Sequence, residues 1–201
     1  NSHYEGVRKA LDFIAPQVAK SLEGKRKVIV KPNFTSTTRQ LAATHVDAVK
    51  AVLDLVKEHY SGKITLAEGP SFSNLSSGLM NFNYLGLRNE YGVDFVDLNE
   101  DDYIEVEVLD RSLKEMRLRV AKTVVHSDYR ISVVPPKTHD CVVVTLSVKN
   151  MVVGSLVGYS KSVIHEGYKA MNLNIAKLAK LVLPHIGVID GFEGMEGNGP
   201  I

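Results

Sequence analysis

Hydrophobic positions at the start of the chain follow a helical spacing. Val7, Leu11, Ile14, Val18 and Leu22 recur every three or four residues, so residues 4–22 are expected to form an amphipathic helix, bent at Pro16 and closed at Gly24. A short β-branched run from Lys27 to Val30 predicts a strand that ends on Lys31-Pro32-Asn33. A polar loop over 34–44 leads to Thr44 and Asp47, spaced like a capping box, and Val46, Val49, Leu53 and Val56 mark the next helix up to Gly62. Lys63 to Ala67 predicts a second strand, followed at once by Glu68-Gly69-Pro70. A serine-rich loop, a helix of about 79–91 and a strand from Val93 to Leu98 complete this part. The pattern β-α-β-α-β with short links predicts a parallel, doubly wound sheet with right-handed crossovers. Such a sheet would set Lys31, Asn33, Glu68, Asp97 and Asn99 along one edge, where α/β proteins gather ligands.

The period then changes. Ile104, Val106 and Val108 alternate with Glu105 and Glu107, and Met116, Leu118 and Val120 alternate with Arg117 and Arg119. Period two in both segments predicts an antiparallel hairpin with one dry face, inserted at about 103–121, its opposed Glu and Arg residues forming cross-strand pairs. A strand from Tyr129 to Val134 feeds into Pro135-Pro136 and then Lys137-Thr138-His139. A second apolar run, Cys141 to Val148, reads as another strand that delivers Lys149 and Asn150. After a loop over 154–167, Met171, Ile175, Leu178 and Val182 define a last helix before a strand from Ile186 to Ile189, which ends at Asp190. The expected fold class is α/β: a Rossmann-like, mostly parallel sheet with helices on both faces and an inserted antiparallel hairpin. Residues 1–201 are expected to form a single domain, and the stop inside a glycine-rich loop reads as a C-terminal truncation of a longer chain.

Composition narrows the partners. Of 201 residues 44% are hydrophobic and 23% charged, with a net charge of +1 and no basic run, so nucleic acid is not an expected partner. No segment approaches the ~20 apolar residues of a membrane-spanning helix, and no signal-peptide pattern is present, so a cytoplasmic location is expected. The single cysteine, Cys141, cannot form an internal disulfide or hold an iron–sulfur cluster by itself, and its apolar setting reads as a buried small hydrophobe.

Charge placed directly after hydrophobic strands is the functional signal. Lys31, Lys137 and Lys149 each follow a predicted strand, and three ammonium groups converging on one edge repel unless an anion or carboxylates lie between them. A carboxylate or phosphate substrate is therefore expected there, although any single lysine could simply reach to water. Asn33, Glu68 and Asn150 join these lysines as substrate-binding candidates. His139 and His165 are the histidines expected near this edge, and either could act as general base or metal ligand; with Lys149 they form the catalytic candidates. His45, His59 and His185 sit at helix ends and read as structural. The tail from Asp190 to Pro200 spaces Asp190, Glu193 and Glu196 among glycines. It lacks the lysine and hydroxyl of a Walker phosphate loop and is no EF-hand. Its oxygens make Asp190 and Glu196 candidate ligands for a divalent metal such as Mg²⁺ or Ca²⁺.

Lys31-Pro-Asn33, Glu68-Gly-Pro70, Pro135-Pro-Lys-Thr-His139, Thr145-Leu-Ser-Val-Lys-Asn-Met151, His165 and Asp190-Gly-Phe-Glu-Gly-Met-Glu-Gly-Asn-Gly-Pro200 occur in this order. Together they resemble the family catalogued as domain of unknown function 362, over nearly the whole chain after about residue 25. The resemblance implies little mechanism. It implies redox company, since members are often fused to ferredoxin-like iron–sulfur modules, and it implies chain beyond the final Gly-Pro. A second likeness, to lactate-racemase-like proteins, rests on strand-end lysines and histidines over a Rossmann-like sheet.

Three functions are consistent with these residues. The first is an enzyme acting on a small anionic metabolite, with redox linkage implied by the resemblance. The second is a non-catalytic docking module for an iron–sulfur electron-transfer partner such as a ferredoxin-like domain. The third is a metal-binding or lactate-racemase-like protein.

Overall fold

Helices cover both faces of a five-stranded parallel sheet in the computed structural model, which describes residues 2–71 and 73–199. Phe72 of the serine-rich loop and Pro200 of the tail motif lie outside the described residues. The expected first helix is two helices, α1 (His3–Asp12) and α2 (Ala15–Leu22), separated at Phe13 and Ile14. Proline lacks an N–H and clashes with the preceding helical turn, so Pro16 is placed in the first turn of a new helix and does not bend an old one.

The strand β1 (Val28–Lys31) follows, then α3 (Val46–His59) and β2 (Ile64–Glu68). The cap of α3 is His45, whose Nδ1 accepts the Asp47 N–H at 3.2 Å. Thr44 is used elsewhere: its hydroxyl donates to the Val133 carbonyl at 2.7 Å and accepts the Asn33 N–H at 2.8 Å. The helix expected at 79–91 is also divided, into α4 (Leu75–Asn81) and α5 (Leu87–Tyr91). Between them Asn83 takes a left-handed φ of 62°, which lets Phe82, Tyr84 and Leu87 all reach the core. Next come β3 (Asp94–Asp97), the hairpin of β4 (Tyr103–Leu109) and β5 (Glu115–Ala121), and α6 (Lys122–Val125). The chain continues through β6 (Tyr129–Val134), a short ribbon of β7 (Lys137–His139) and β8 (Val143–Thr145), and α7 (Ser147–Gly154). It then runs through α8 (Ser160–Val163), α9 (Tyr168–Val182) and β9 (Ile186–Ile189).

The sheet order is β3-β2-β1-β6-β9, with every neighbouring pair parallel. Period two divides each central strand between the faces. Val28 and Val30 pack with α1, α2 and α3 through Val7, Leu22, Val49 and Leu53. Ile29 points the other way, into a cluster with Met151, Leu178 and Val182 that also takes Val108, Leu118 and Val120 from the hairpin. The hairpin pairs as its alternation requires, with Glu105 opposite Arg119 and Glu107 opposite Arg117. Its exposed ion pair runs diagonally, from Arg117 to Glu105 at 3.6 Å, while the Arg119 guanidinium lies 4.3 Å from the centre of the Tyr103 ring.

One expected strand is mostly something else. Only Val143 to Thr145 of the Cys141–Val148 run is extended; from Ser147 the chain coils into α7, so Lys149 and Asn150 lie in the first turns of a helix. A continuous apolar run carries no period that separates strand from helix, and packing decided: Met151, Val152 and Val153 are buried as a helical face.

Candidate functional site

The sheet order reverses between β1 and β6, and the strand ends there open a crevice in a doubly wound fold. Lys31, the last residue of β1, is completely buried. Its ammonium donates to the Glu68 carboxylate at the end of β2, to the Asn150 amide oxygen at 3.1 Å and to the Pro32 carbonyl at 3.3 Å. Glu68 also accepts the Phe34 N–H at 3.3 Å. Asn150 in turn donates to the Ser132 hydroxyl at 2.9 Å and to the carbonyls of Lys31 and Pro32, both at 3.2 Å. An α7 side chain thus ties β1 to β6 and satisfies the buried charge beside it.

Lys137 is a second fully buried lysine. It donates to the Asn33 amide oxygen, to the Thr35 hydroxyl at 2.6 Å and to the Ala42 carbonyl at 3.2 Å. Burial, then the positive charges of Lys149 and Lys31, pull its pKa down to about 7, against an opposing pull from Glu68.

In front of this network lies a cavity of about 540 Å³. Asn33, Glu68, Asn150, Lys149, His139 and His165 all line it. Lys31 and Lys137 stand behind its wall, bonded to residues that do line it. The sequence therefore named six residues that the structure brings to the wall, but it gave two lysines a place on the surface of the cavity that the structure gives to their partners. The reason is saturation: an ammonium has three N–H donors, and each of these two meets three protein acceptors.

Two other cations face the cavity. Lys161, in α8, donates to the Gly69 carbonyl at 2.6 Å and the Asn99 amide oxygen at 2.7 Å, and burial lowers its pKa to about 8. Arg111, in the turn between β4 and β5, completes the lining from the hairpin side. Sequence reasoning missed both. Lys161 lies in a stretch with no clear period, and Arg111 in a turn that only the packing of the hairpin on α9 brings inward. That packing is anchored by Asn174, whose amide exchanges two 2.8 Å hydrogen bonds with the backbone of Leu109.

His139 and His165 are stacked at the cavity, ring centres 5.6 Å apart. Burial lowers both pKa values, His139 to about 4, and the charge of Lys149 acts in the same direction, so both rings are neutral near pH 7. Their tautomers follow from their partners. The Cys141 N–H donates to Nδ1 of His139 at 3.0 Å, so neutral His139 carries its proton on Nε2. His165 must donate from Nδ1 to the Lys161 carbonyl at 2.8 Å, which leaves its Nε2 with the lone pair. One ring offers a proton and the other accepts one. The Asp140 carboxylate, 2.9 Å from Nδ1 of His139, is placed to receive a proton there once that ring is charged. Cys141, read as buried, is half-buried and lines the cavity; burial raises its thiol pKa.

Asp190 and Glu196 are separate from this cavity. Asp190 is buried against His3, with 2.6 Å between its Oδ2 and Nδ1, and His3 stacks on His45 at 4.0 Å. Glu196 is exposed on the tail, beside Met195, which pairs with Lys137. Among the described residues no group of three or more His, Cys, Asp or Glu side chains is placed to hold a metal ion.

Comparison with known proteins follows the same outline. The family model described as "Domain of unknown function (DUF362)" matches residues 28–201. A thylakoid-associated protein of Synechocystis sp. is 28% identical over 181 residues, which cover 87% of this chain and 54% of that protein. This chain thus spans about half the length of that relative. Among solved structures, the lactate racemase apoprotein from Thermoanaerobacterium thermosaccharolyticum superposes with a TM-score of 0.57 at 14% identity, over 83% of this chain and 43% of the other. That likeness is one of fold.

Proposed function

The chain belongs to the family of domain of unknown function 362, and from the geometry at its sheet ends we propose that it is an enzyme that binds a small anionic metabolite, a carboxylate or a phosphate, and moves a proton on it. One observation carries this reading: four lysines and an arginine are gathered in and behind the wall of one cavity, against a single buried carboxylate, Glu68. An anion in the cavity would relieve the mutual repulsion that helps lower the pKa values of Lys137, Lys149 and Lys161. Lys149, Lys161 and Arg111 would hold it, with Asn33 as a neutral donor, while Asn150, whose amide N–H groups are taken up by protein acceptors, would shape the wall. His165 would accept a proton at Nε2 and His139 would deliver one from Nε2. Lys31, Lys137 and Glu68 would fix the shape of the wall.

Titration calorimetry with a panel of small carboxylates and inorganic phosphate tests this. Saturable one-to-one binding is expected, weakened at least ~tenfold in Lys161→Ala, the loss of roughly one charge-assisted contact. If no anion of the panel binds the folded chain, the reading fails.

A second reading, a docking module for an iron–sulfur electron-transfer partner, has its own support. Val143, Val144, Val148 and Tyr168 are exposed, and each adjoins in sequence, directly or through one of the others, a residue that lines the cavity. A partner covering the mouth would bury them. Val144→Asp would then abolish complex formation and leave anion binding intact. A cytoplasmic location belongs to the proposal. The thylakoid association of the relative makes a membrane surface the competing location, although no helix among the described residues is long and apolar enough to cross a membrane.

A further inference from the structure

The four lysines at the sheet ends differ in one respect. Lys31 and Lys137 each donate to three acceptors and Lys161 to two. Lys149 lines the cavity and has no hydrogen-bond partner among the described residues. An ammonium taken out of water without acceptors is costly, whereas a neutral amine in that position is not. Burial sets the direction; among its neighbours the charge of Lys31 adds to it, while Asp140 and Cys141 pull the other way. This is the setting in which a lysine becomes a nucleophile at moderate pH. Lys31 and Lys137 could not serve, because all three donors of each nitrogen are committed to protein acceptors.

We propose that Lys149 forms an imine with its substrate, and that the anion bound in this cavity carries an aldehyde or ketone carbonyl, as a 2-oxo acid does. The proposal rests on the anion-binding reading above and names its substrate class. The neutral amine attacks the carbonyl carbon, a C–N bond forms, and the C=O π pair moves to oxygen. Nε2 of His139 hydrogen-bonds that oxygen and keeps its proton, while the nitrogen gives one up to Nε2 of His165, which passes it to the oxygen. The resulting carbinolamine takes a proton on its hydroxyl, drawn from solvent through His165, and loses it as water while the nitrogen lone pair closes the C=N bond. No oxidant or reductant takes part. The iminium that results draws electrons from the adjoining carbon, whose C–H becomes acidic, and this gives the two histidines a proton to move. Lys161 and Arg111 hold the carboxylate.

Burial lowers the Lys149 pKa to about 8 from the ordinary 10.5, so near pH 8 about half of it is neutral. The chain is incubated at pH 8 with pyruvate or glyoxylate and sodium cyanoborohydride, then digested and mapped by mass spectrometry. One carboxyalkyl group on Lys149 is expected, formed at least ~tenfold faster than on the exposed Lys114 and Lys169, because the free amine is the reactive form. Lys149→Arg should remove that adduct and leave the slow surface labelling unchanged. Labelling of Lys149 no faster than of the exposed lysines overturns the proposal. Calorimetry with oxalate, which has no ketone or aldehyde, is run on the same preparation. Oxalate binding without a Lys149 adduct overturns imine formation alone, and failure of both overturns the anion site with it. Because the mapping is done on the unaltered chain, it does not depend on a variant folding.

Discussion

Asn150 holds Lys31 at both ends: its amide oxygen accepts from the lysine ammonium at 3.1 Å, and its amide nitrogen donates to the lysine's own carbonyl at 3.2 Å. A residue of α7 thereby fixes both the charge and the backbone at the end of β1. The ammonium is completed by Glu68, so the three side chains form one buried unit at the point where the sheet order reverses.

Breaking that unit from one side should be expensive. Glu68→Ala leaves the Lys31 ammonium buried without its carboxylate, and a loss of about 3–5 kcal/mol is expected in urea unfolding. Lys31→Met combined with Glu68→Leu, which removes both charges, should recover much of that loss. A double variant as unstable as the single one would show that the charges are not what the unit needs.

Acid should weaken the fold through the stacked histidines. Burial and Lys149 hold His139 at about 4 against an ordinary 6.5, and His165 is lowered in the same direction. The unfolded chain therefore binds protons where the folded chain does not, and the stability present above pH 6.5 is lost as pH falls from about 6.5 to about 4. Urea midpoints measured across that window should decline, and His139→Gln should flatten the decline. A midpoint that does not change with pH in that range would remove these rings from the account.

Binding an anion should draw protons in. The pKa values of Lys149 and Lys161, held near 8 mainly by burial, would rise when a negative charge enters. At pH 8 calorimetry in buffers of different ionisation enthalpy should register net proton uptake on binding, and the effect should shrink at pH 6, where the lysines are already charged. Net release at pH 8 would contradict the assignment.

Gly69 is next to the amine of Lys161, and a methyl group there would meet that amine and the Asn99 side chain. Gly69→Ala should displace Lys161 and weaken anion binding, with a stability change of only about 1–2 kcal/mol. Unchanged affinity would mean that Lys161 is dispensable.

Asn174 joins the hairpin to α9 through its side-chain amide, whose oxygen accepts the Leu109 N–H and whose nitrogen donates to the Leu109 carbonyl. Asn174→Ala should cost about 1–3 kcal/mol and raise hydrogen exchange of the 103–121 amides, because a half-buried backbone N–H and C=O lose their partners. If exchange is unaltered, the hairpin is held by its apolar face alone.

The parallel sheet was legible because alternating helical and β-branched periods leave few topologies, and the hairpin was legible because Glu and Arg mark its wet face. The site was legible where a polar residue follows a strand directly, as with Lys31, Asn33, Glu68 and Lys137. It was not legible at Lys161 and Arg111, which reach the cavity only through tertiary packing of a short helix and a turn. Nor could spacing show that Lys31 and Lys137 are saturated by protein acceptors while Lys149 is not, since that depends on partners about a hundred residues away. Asp190 ends a strand as expected, yet β9 is an edge strand, and there His3 and not the cavity is its neighbour.

Contacts such as Lys31 to Asn150 and Lys137 to Asn33 bridge sequence separations of 119 and 104 residues. Neither half of the chain contains a usable recess by itself, so the recess exists only once β6 has docked beside β1. A molecule held there reports on completion of the fold. It should slow global unfolding and leave the fraying of surface segments untouched, and partly folded forms of the chain should be unable to bind it.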